Sequence, residues 1–161
     1  MHLWGQWKLS ELPELPEGLI GLDVRYCDSL KKLPTLPENL QLLDLGGCEN
    51  VPVLLDLPTS LLKCYLNDCL ALKYVDLEQC AELNELDASR CPAIEAIDKL
   101  PRSIAKLVLE GCPALASVDG LDEFNQLRHL NLVACTKLKE IPEVPDGIQY
   151  LALHSLSLIH I

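Results

Sequence analysis

Cysteine is the residue type in this sequence with the widest capacity for chemistry, because a thiolate can attack a carbonyl, bind zinc or form a disulfide. Catalysis needs one activated thiol with a base in reach, and zinc needs four ligands around one point, commonly in close Cys pairs. Even spacing along the chain fits neither use, so we predict no catalytic cysteine and no metal site. Six of the eight cysteines follow one another at intervals of 21 to 23 residues: Cys27, Cys48, Cys69, Cys91, Cys112 and Cys135.

The sequence around each of these cysteines is itself repeated. The nine residues that end at each Cys are LIGLDVRYC, LQLLDLGGC, LLKCYLNDC, LNELDASRC, IAKLVLEGC and LRHLNLVAC. Apolar residues recur three and six positions later, from Leu30 and Leu33 in the first unit to Leu138 and Ile141 in the last. A period of about 20–29 residues with the pattern L-x-x-L-x-L-x-x-N/C-x-L is the signature of leucine-rich repeats. The sequence therefore predicts an α/β solenoid: a right-handed superhelix of leucine-rich repeats with a parallel β-sheet on its concave face.

Each repeat predicts one coil of this solenoid, made of a strand and a return segment. The x-L-x-L-x part alternates as a half-buried strand does, with its leucines inward and the residues between them on the concave face. Return segments such as LSELPELPEGL and LKKLPTLPENL are rich in proline. Proline favours an extended, polyproline-like path, so we expect convex segments with little helix.

In this frame the repeat cysteines are predicted to be buried, reduced thiols that act as small hydrophobes and as weak donors to backbone carbonyls. Disulfides between neighbouring coils are the alternative, since stacked strands lie about 4.8 Å apart. Cys64 replaces a strand leucine and is predicted to be core. Cys80 follows Cys69 too closely for a full coil, so we expect it on the convex path. The longer return segment VDGLDEFNQL predicts a short helical turn with Phe124 packed inward.

Both ends of the sequence lack the polar capping segments that solenoids need. Counting back from the first return segment places Leu3 in the last strand position of an earlier coil, so either Met1 lies within a strand or a start codon happens to fall there. We therefore predict an array of about seven coils over 1–155, truncated at both ends and part of a larger protein. Residues 156–161, LSLIHI, bring Leu where Cys is expected and match one reading frame of a transposon end used as a sequencing adapter. We predict that these six residues are a non-native tail.

The charge of the sequence bears on its partners and location. The formal net charge is −11 and the isoelectric point is near 4.7. This acidity argues against nucleic-acid phosphates and anionic membranes, which require clustered Lys and Arg, and favours basic partners. The start, MHLWGQWKLS, has no secretory signal, and reduced thiols are typical of intracellular proteins. We predict a cytoplasmic protein without a cofactor.

Three segments, ELPELPEGLIGLDV (11–24), KLPTLPENLQLLDL (32–45) and DLPTSLLKCYL (56–66), resemble the LPX subtype of leucine-rich repeats. That subtype is known from secreted effectors of bacterial pathogens, including those with a C-terminal novel E3 ubiquitin-ligase domain. The segments LDLGGCENV and LVLEGCPAL are similar to repeats of plant intracellular immune receptors, in which Cys often replaces Asn. Both resemblances imply a recognition role, and the first implies a secreted effector acting inside a host cell as an alternative location. Nothing in the sequence matches a ligase catalytic motif or a nucleotide-binding domain.

Leucine-rich repeats usually bind on the concave face, and the repeat shows which side chains point there. Asp23, Asp44 and Asp87 form a broken acidic column beside Tyr65, and like charges on adjacent strands repel. One interpretation is a docking site for a basic peptide or loop, anchored by Tyr65. The other is that the aspartates are solvated filler on an exposed strand. The candidate partner-binding residues are Asp23, Arg25, Asp44, Tyr65, Asn67, Asp87, Ser89, Glu110, His129 and Asn131.

These features predict a non-enzymatic module that recognises a protein or peptide partner on its concave face. The alternative is the substrate-recognition arm of an enzyme, such as a bacterial E3 ubiquitin ligase, whose catalytic domain is absent from this sequence. A third interpretation is a purely structural repeat without a dedicated partner.

Overall fold

Nine short β-strands, all paired in parallel, form two sheets in the computed structural model, which describes residues 1–97, 99–118, 120–140 and 143–156. The strands are β1 (Gly21–Asp23), β2 (Leu42–Asp44), β3 (Val53–Leu54), β4 (Lys63–Tyr65), β5 (Tyr74–Val75), β6 (Glu85–Asp87), β7 (Lys106–Val108), β8 (His129–Asn131) and β9 (Tyr150–Ala152). The main sheet has the order β1-β2-β4-β6-β7-β8-β9, and β3 pairs with β5 in a separate small sheet. The chain coils once for each strand of the main sheet, which confirms the predicted parallel solenoid.

The register of the main sheet lines up the inward side chains of successive coils. Each aligned inward residue from β1 to β8 is at most 1% exposed, so these side chains form a continuous core. Cys64 belongs to this line and fills a leucine position, as its place in the repeat predicted. The aligned residues are Leu22, Leu43, Cys64, Leu86, Leu107 and Leu130.

The return segments contain almost no helix, as their proline content predicted. Residues 9–20 and 31–41 have turns and bends but neither helix nor strand. A 3₁₀ turn, Leu121–Glu123, lies in the longer return segment. Phe124 follows it and packs into the core with 6% of its surface exposed, also as predicted.

The small sheet is a feature that the sequence did not predict. Strand β3 lies in the return segment after Cys48 and β5 in the next one, and Val53 aligns with Tyr74. Cys80 follows β5 on the return path, as predicted. It is fully buried, and its Sγ donates to the carbonyl of Pro58 at 3.8 Å.

A left-handed residue turns the chain out of each main-sheet strand toward the core. The residue directly before the repeat cysteine, or before its equivalent in the first and last coils, has a positive φ of 55–76°. This conformation costs about 1–2 kcal/mol for residues other than glycine, yet glycine occupies only three of the eight places. The residues are Gly5, Tyr26, Gly47, Asp68, Arg90, Gly111, Ala134 and Ser155.

The six repeat cysteines, which we call the cysteine ladder, are free thiols and at most 1% exposed. Burial raises the pKa of Cys48 and Cys91 to about 12 and that of Cys112 to about 11, so these thiols are protonated donors at neutral pH. Each Sγ donates to a backbone carbonyl of the preceding coil: Cys27 to Leu3 (3.3 Å), Cys48 to Val24 (3.1 Å), Cys69 to Leu45 (3.3 Å), Cys91 to Leu66 (3.0 Å), Cys112 to Ala88 (3.1 Å) and Cys135 to Leu109 (3.1 Å).

The repeat frame also holds at the outermost described residues. His2 forms a parallel bridge with Asp23, which places Leu3 beside Val24 as predicted. Leu156 takes the place of a ladder cysteine and packs partly buried against the core. The rest of the predicted tail, 157–161, and the repeat position Ile141 lie outside the described residues.

Candidate partner-binding face

The outward side chains of the main sheet form three aligned columns, which together we call the concave face. The strand register defines the first two columns, and backbone hydrogen bonds such as Tyr26 N to Gly46 O extend the alignment to the third. The first column is Gly21, Leu42, Lys63, Glu85, Lys106, His129 and Tyr150. The second is Asp23, Asp44, Tyr65, Asp87, Val108, Asn131 and Ala152. The third is Arg25, Gly46, Asn67, Ser89, Glu110, Val133 and His154.

Arg25 neutralises one end of the predicted acidic column. Its Nε and Nη2 donate to the two carboxylate oxygens of Asp23 at 3.0 and 2.8 Å, and its Nε lies 3.3 Å from Oδ2 of Asp44. The Arg25 guanidinium holds the pKa of the Asp23 carboxyl well below its usual range, although burial acts in the opposite direction. A cation for these two carboxylates is therefore supplied by the chain itself.

The acidic column also has a structural role that neither sequence interpretation included. Oδ1 of Asp44 accepts a hydrogen bond from the backbone N–H of Gly46 at 3.1 Å, and Oδ1 of Asp87 accepts one from Ser89 at 3.0 Å. Asn131 does the same for Val133 at 3.0 Å. Such Asx turns satisfy the amide two residues later, where the chain leaves the strand. Asp or Asn in the second column is thus partly explained by the turn.

Tyr65, Asp87 and Glu110 remain as the centre of the face. Tyr65 aligns with Asp44 on one side and Asp87 on the other and is half-buried. Burial, together with the neighbouring carboxylates of Glu85, Asp44 and Asp87, raises the pKa of Tyr65 to about 12, so its hydroxyl is a donor at neutral pH. Within the described ranges, neither Asp87 nor Glu110 forms a salt bridge.

The remaining candidates of the second and third columns take part in local contacts. Asn131 Nδ2 donates to Oε2 of Glu110 at 2.9 Å, and Ser89 Oγ donates to Oδ1 of Asp87 at 2.6 Å. Asn67 is half-buried, and its Nδ2 donates to Asp68 at 3.0 Å. These polar groups are oriented before any partner arrives, which lowers the entropic cost of using them in binding.

The first column contains an ion-pair network and an aromatic stack. The Nζ atoms of Lys63 and Lys106 lie 3.2 and 2.7 Å from the Glu85 carboxylate. Burial opposes ionisation of Glu85, but the two lysines hold its pKa below the usual value. His129 stacks on Tyr150 with ring centroids 4.2 Å apart, and burial and Lys106 lower the pKa of His129.

A cavity of about 520 Å³ opens at the β1 side of the concave face. Its walls include the apolar residues Ile20, Leu42 and Leu62 around Gly21, with Lys63 at one side. None of the four nonpolar residues was a candidate in the sequence, because they carry no reactive or charged group. The signal that could have found them is a glycine at an outward strand position where other coils carry long side chains.

The described residues contain neither a cluster of potential metal ligands nor a helix suited to crossing a membrane. No group of three or more His, Cys, Asp or Glu side chains in those ranges is arranged to hold a metal ion. Over the same ranges, the structure has no helix with the length and apolar character that crossing a membrane requires.

Known proteins resemble this chain in sequence and in fold, although no family model matches it. It is 34% identical over 93 residues to disease resistance protein RPS4 of Arabidopsis thaliana, an alignment covering 57% of this chain and 8% of that protein. An inactive disease resistance protein RPS4 from the same plant matches to the same extent. YopM from Yersinia enterocolitica WA-314 superposes with a TM-score of 0.73 at 23% identity, covering 94% of this chain and 36% of that one.

The chain spans 8% of the length of the curated relatives and about a third of the structural neighbour. The plant and bacterial resemblances of the sequence each have a counterpart among these proteins. The repeat pattern, the parallel solenoid and the superposition show that the chain has the leucine-rich repeat fold.

Proposed function

We propose that this leucine-rich repeat array is a protein-recognition module that binds its partner on the concave face. One observation carries the proposal: seven strands in continuous parallel register present a different set of three outward side chains in every coil. A stacked solenoid holds such side chains at fixed distances, so a partner can contact several coils at the same time. Specificity then comes from the identity of the side chains and not from movement of the frame.

The partner is proposed to be a protein or peptide with basic side chains. Asp87 and Glu110 are the carboxylates of the face that no Lys or Arg of the described chain pairs, and Tyr65 lies beside them. Tyrosine is enriched among residues that dominate binding energy at interfaces. The net charge of −11 attracts basic partners over long range and disfavours nucleic acid and anionic membrane surfaces.

The test uses binders selected from a random 12-residue phage-displayed peptide library on the immobilised chain. Their affinity is then compared between the wild type and a concave double variant, Tyr65→Ala with Asp87→Asn. Asn keeps an oxygen for the Ser89 amide, so the second change removes charge while retaining the turn. We expect the concave variant to lose affinity at least about tenfold, which corresponds to about 1.4 kcal/mol.

A matched control exists on the convex side. Tyr74 in β5 is 37% exposed, and Oδ1 of Asp76 accepts the backbone N–H of Glu78 at 3.0 Å, as Asp87 does for Ser89. The variant Tyr74→Ala with Asp76→Asn therefore makes the same two changes away from the concave face. We expect its affinity to stay within twofold of the wild type. Equal losses in both variants, or a loss confined to the convex one, would contradict the proposal.

A further inference from the structure

The cavity at the β1 side of the concave face lies over Gly21, which has no side chain. Gly21 precedes Leu42 and Lys63 in the first column, and its φ is not in the left-handed region. A Cβ at Gly21 would meet Leu42 Cβ at 4.0 Å, which is ordinary contact. Neither the backbone conformation nor crowding therefore requires glycine here, and the missing side chain leaves this part of the cavity open.

One part of the cavity wall is apolar and accessible to solvent, and the polar part is formed by His2, Asp23, Gln41 and Lys63. Ile20 is 58% exposed, and Leu42 and Leu62 are half-buried around the glycine. Apolar side chains held open to water gain free energy when another apolar group covers them. Clefts of about 300–1,000 Å³ lined by apolar residues are typical of binding sites. A single large side chain of a partner, aliphatic or aromatic, suits this geometry.

The charges around the cavity place the basic part of a ligand elsewhere on the face. Asp23 and Asp44, at the near end, are already held by Arg25. The carboxylates left without an ion pair in the described ranges, Asp87 and Glu110, lie on β6 and just after β7. Strand β6 is two places from β2 and three from β1, which at about 4.8 Å per strand is about 10–14 Å, and β7 is one strand farther, at about 14–19 Å.

From these distances we infer that the Gly21 cavity receives a large apolar side chain of an extended peptide, whose Lys or Arg three or four residues away pairs with Asp87 and Glu110. An extended chain advances about 3.3 Å per residue, so three or four residues cover most of the separation to Asp87, and the long basic side chain reaches on toward Glu110. Tyr65 lies between the two points and contacts the peptide backbone or the stem of its basic side chain. The inference rests on the proposed function and adds to it the kind of residues recognised and their spacing.

The experiment uses the same 12-residue phage-displayed library on the complete chain. Enriched peptides are expected to share an aliphatic or aromatic residue separated by three or four positions from Lys or Arg. Their synthetic copies are then titrated against Gly21→Leu, which puts a side chain into the cavity, and against Gly18→Leu, a control in the same coil. Gly18 is exposed in the preceding turn, and a Cβ there meets nothing within 4 Å.

We expect Gly21→Leu to weaken binding at least tenfold, Gly21→Ala to give a smaller loss, and Gly18→Leu to bind as the wild type does. Urea unfolding is the control for misfolding. Gly21→Ala and Gly21→Leu should both unfold at urea concentrations no lower than that of the wild type. Peptides that bind Gly21→Leu unchanged but lose affinity for Tyr65→Ala with Asp87→Asn would overturn the inference and leave the proposed function standing. Peptides indifferent to all concave variants would overturn both. Enrichment without the apolar–basic pair, or no enrichment, would also overturn the inference.

Discussion

On the inner side of the main sheet, one residue type makes the same contact in six successive coils, whereas on the concave face no two of the seven coils present the same three side chains. The two sides belong to the same coils, because each ladder cysteine follows the strand whose outward side chains lie on the concave face. Regularity on the inner side follows from packing, since each coil must fit its neighbours. Variety on the outer side is what a surface that distinguishes one partner from another requires.

The comparison predicts that inner substitutions lower stability more than outer substitutions do. Because each coil contacts only its neighbours, the effect of an inner substitution should be strongest when both neighbouring coils are present. Central coils are therefore the best places to test the difference. The predictions below go from the largest expected effect on stability to the smallest.

Leu86→Ala should have the largest effect. Leu86 is 1% exposed in β6, between Cys64 of β4 and Leu107 of β7. Truncation of a buried leucine loses its transfer free energy and leaves a cavity, so the free energy of unfolding should fall by about 2–5 kcal/mol. Urea unfolding followed by circular dichroism measures the loss. A loss below about 1 kcal/mol would show that neighbouring coils collapse into the space, contrary to a rigid frame.

Cys112→Ala should have an intermediate effect. Its Sγ donates to the carbonyl of Ala88 at 3.1 Å, and the site is fully buried. Removal of the donor leaves a buried carbonyl without that partner, which costs about 1–3 kcal/mol. Cys112→Ser keeps a donor in the same place and is the control. If the two variants unfold at the same urea concentration, the thiol hydrogen bond does not stabilise the coil and the ladder acts by packing alone.

Asp23→Asn should have a smaller effect that depends on pH. The pKa of Asp23 is lowered in the folded protein, so its ion pair with Arg25 stabilises the fold above the unfolded-state pKa of about 3.9. This contribution is lost as the pH falls through the lower, folded-state value. The variant should therefore be less stable than the wild type at pH 7, and the difference should narrow as the pH falls below about 4. Urea midpoints measured from pH 7 to pH 2 test this.

Asp87→Asn is the matched outer substitution and should have the smallest effect on stability. Asp87 has no ion pair in the described ranges, and Asn keeps its turn hydrogen bond to Ser89. Stability at pH 7 should change by less than about 0.5 kcal/mol. A large loss of stability in Asp87→Asn with no loss in Asp23→Asn would contradict this prediction, because the ion-paired Asp23 would then stabilise the fold less than the unpaired Asp87.

Much of the fold followed from the sequence, because the spacing of Leu and Cys sets both the coil length and the strand register. The same spacing placed Cys64 in the core, Cys80 on the return path and Phe124 inward. The small sheet of β3 and β5 was not predicted, since each strand has two residues and forms only against the neighbouring coil. Local patterns carry little information about such short pairings.

The candidate face was predicted less completely than the fold. Its outward positions followed from strand alternation, but the partners of each side chain depend on rotamers and on neighbouring coils. The pairing of Arg25 with Asp23 and the turn hydrogen bond of Asp87 give these residues structural contacts that charge alone did not reveal. The sequence did not predict a role for Gly21, because glycine carries no side chain that could indicate binding or chemistry. Binding of a partner on this face remains the prediction that the selected peptides test.

The cysteine ladder also provides a set of natural reporters for local unfolding. A buried thiol reacts with an alkylating reagent only when its own coil opens, because the reagent needs both access and a thiolate. One cysteine in each of six coils therefore gives six separate opening free energies from a single labelling time course read by mass spectrometry. Such a profile would show which coils open first, without introducing any label or substitution into the chain.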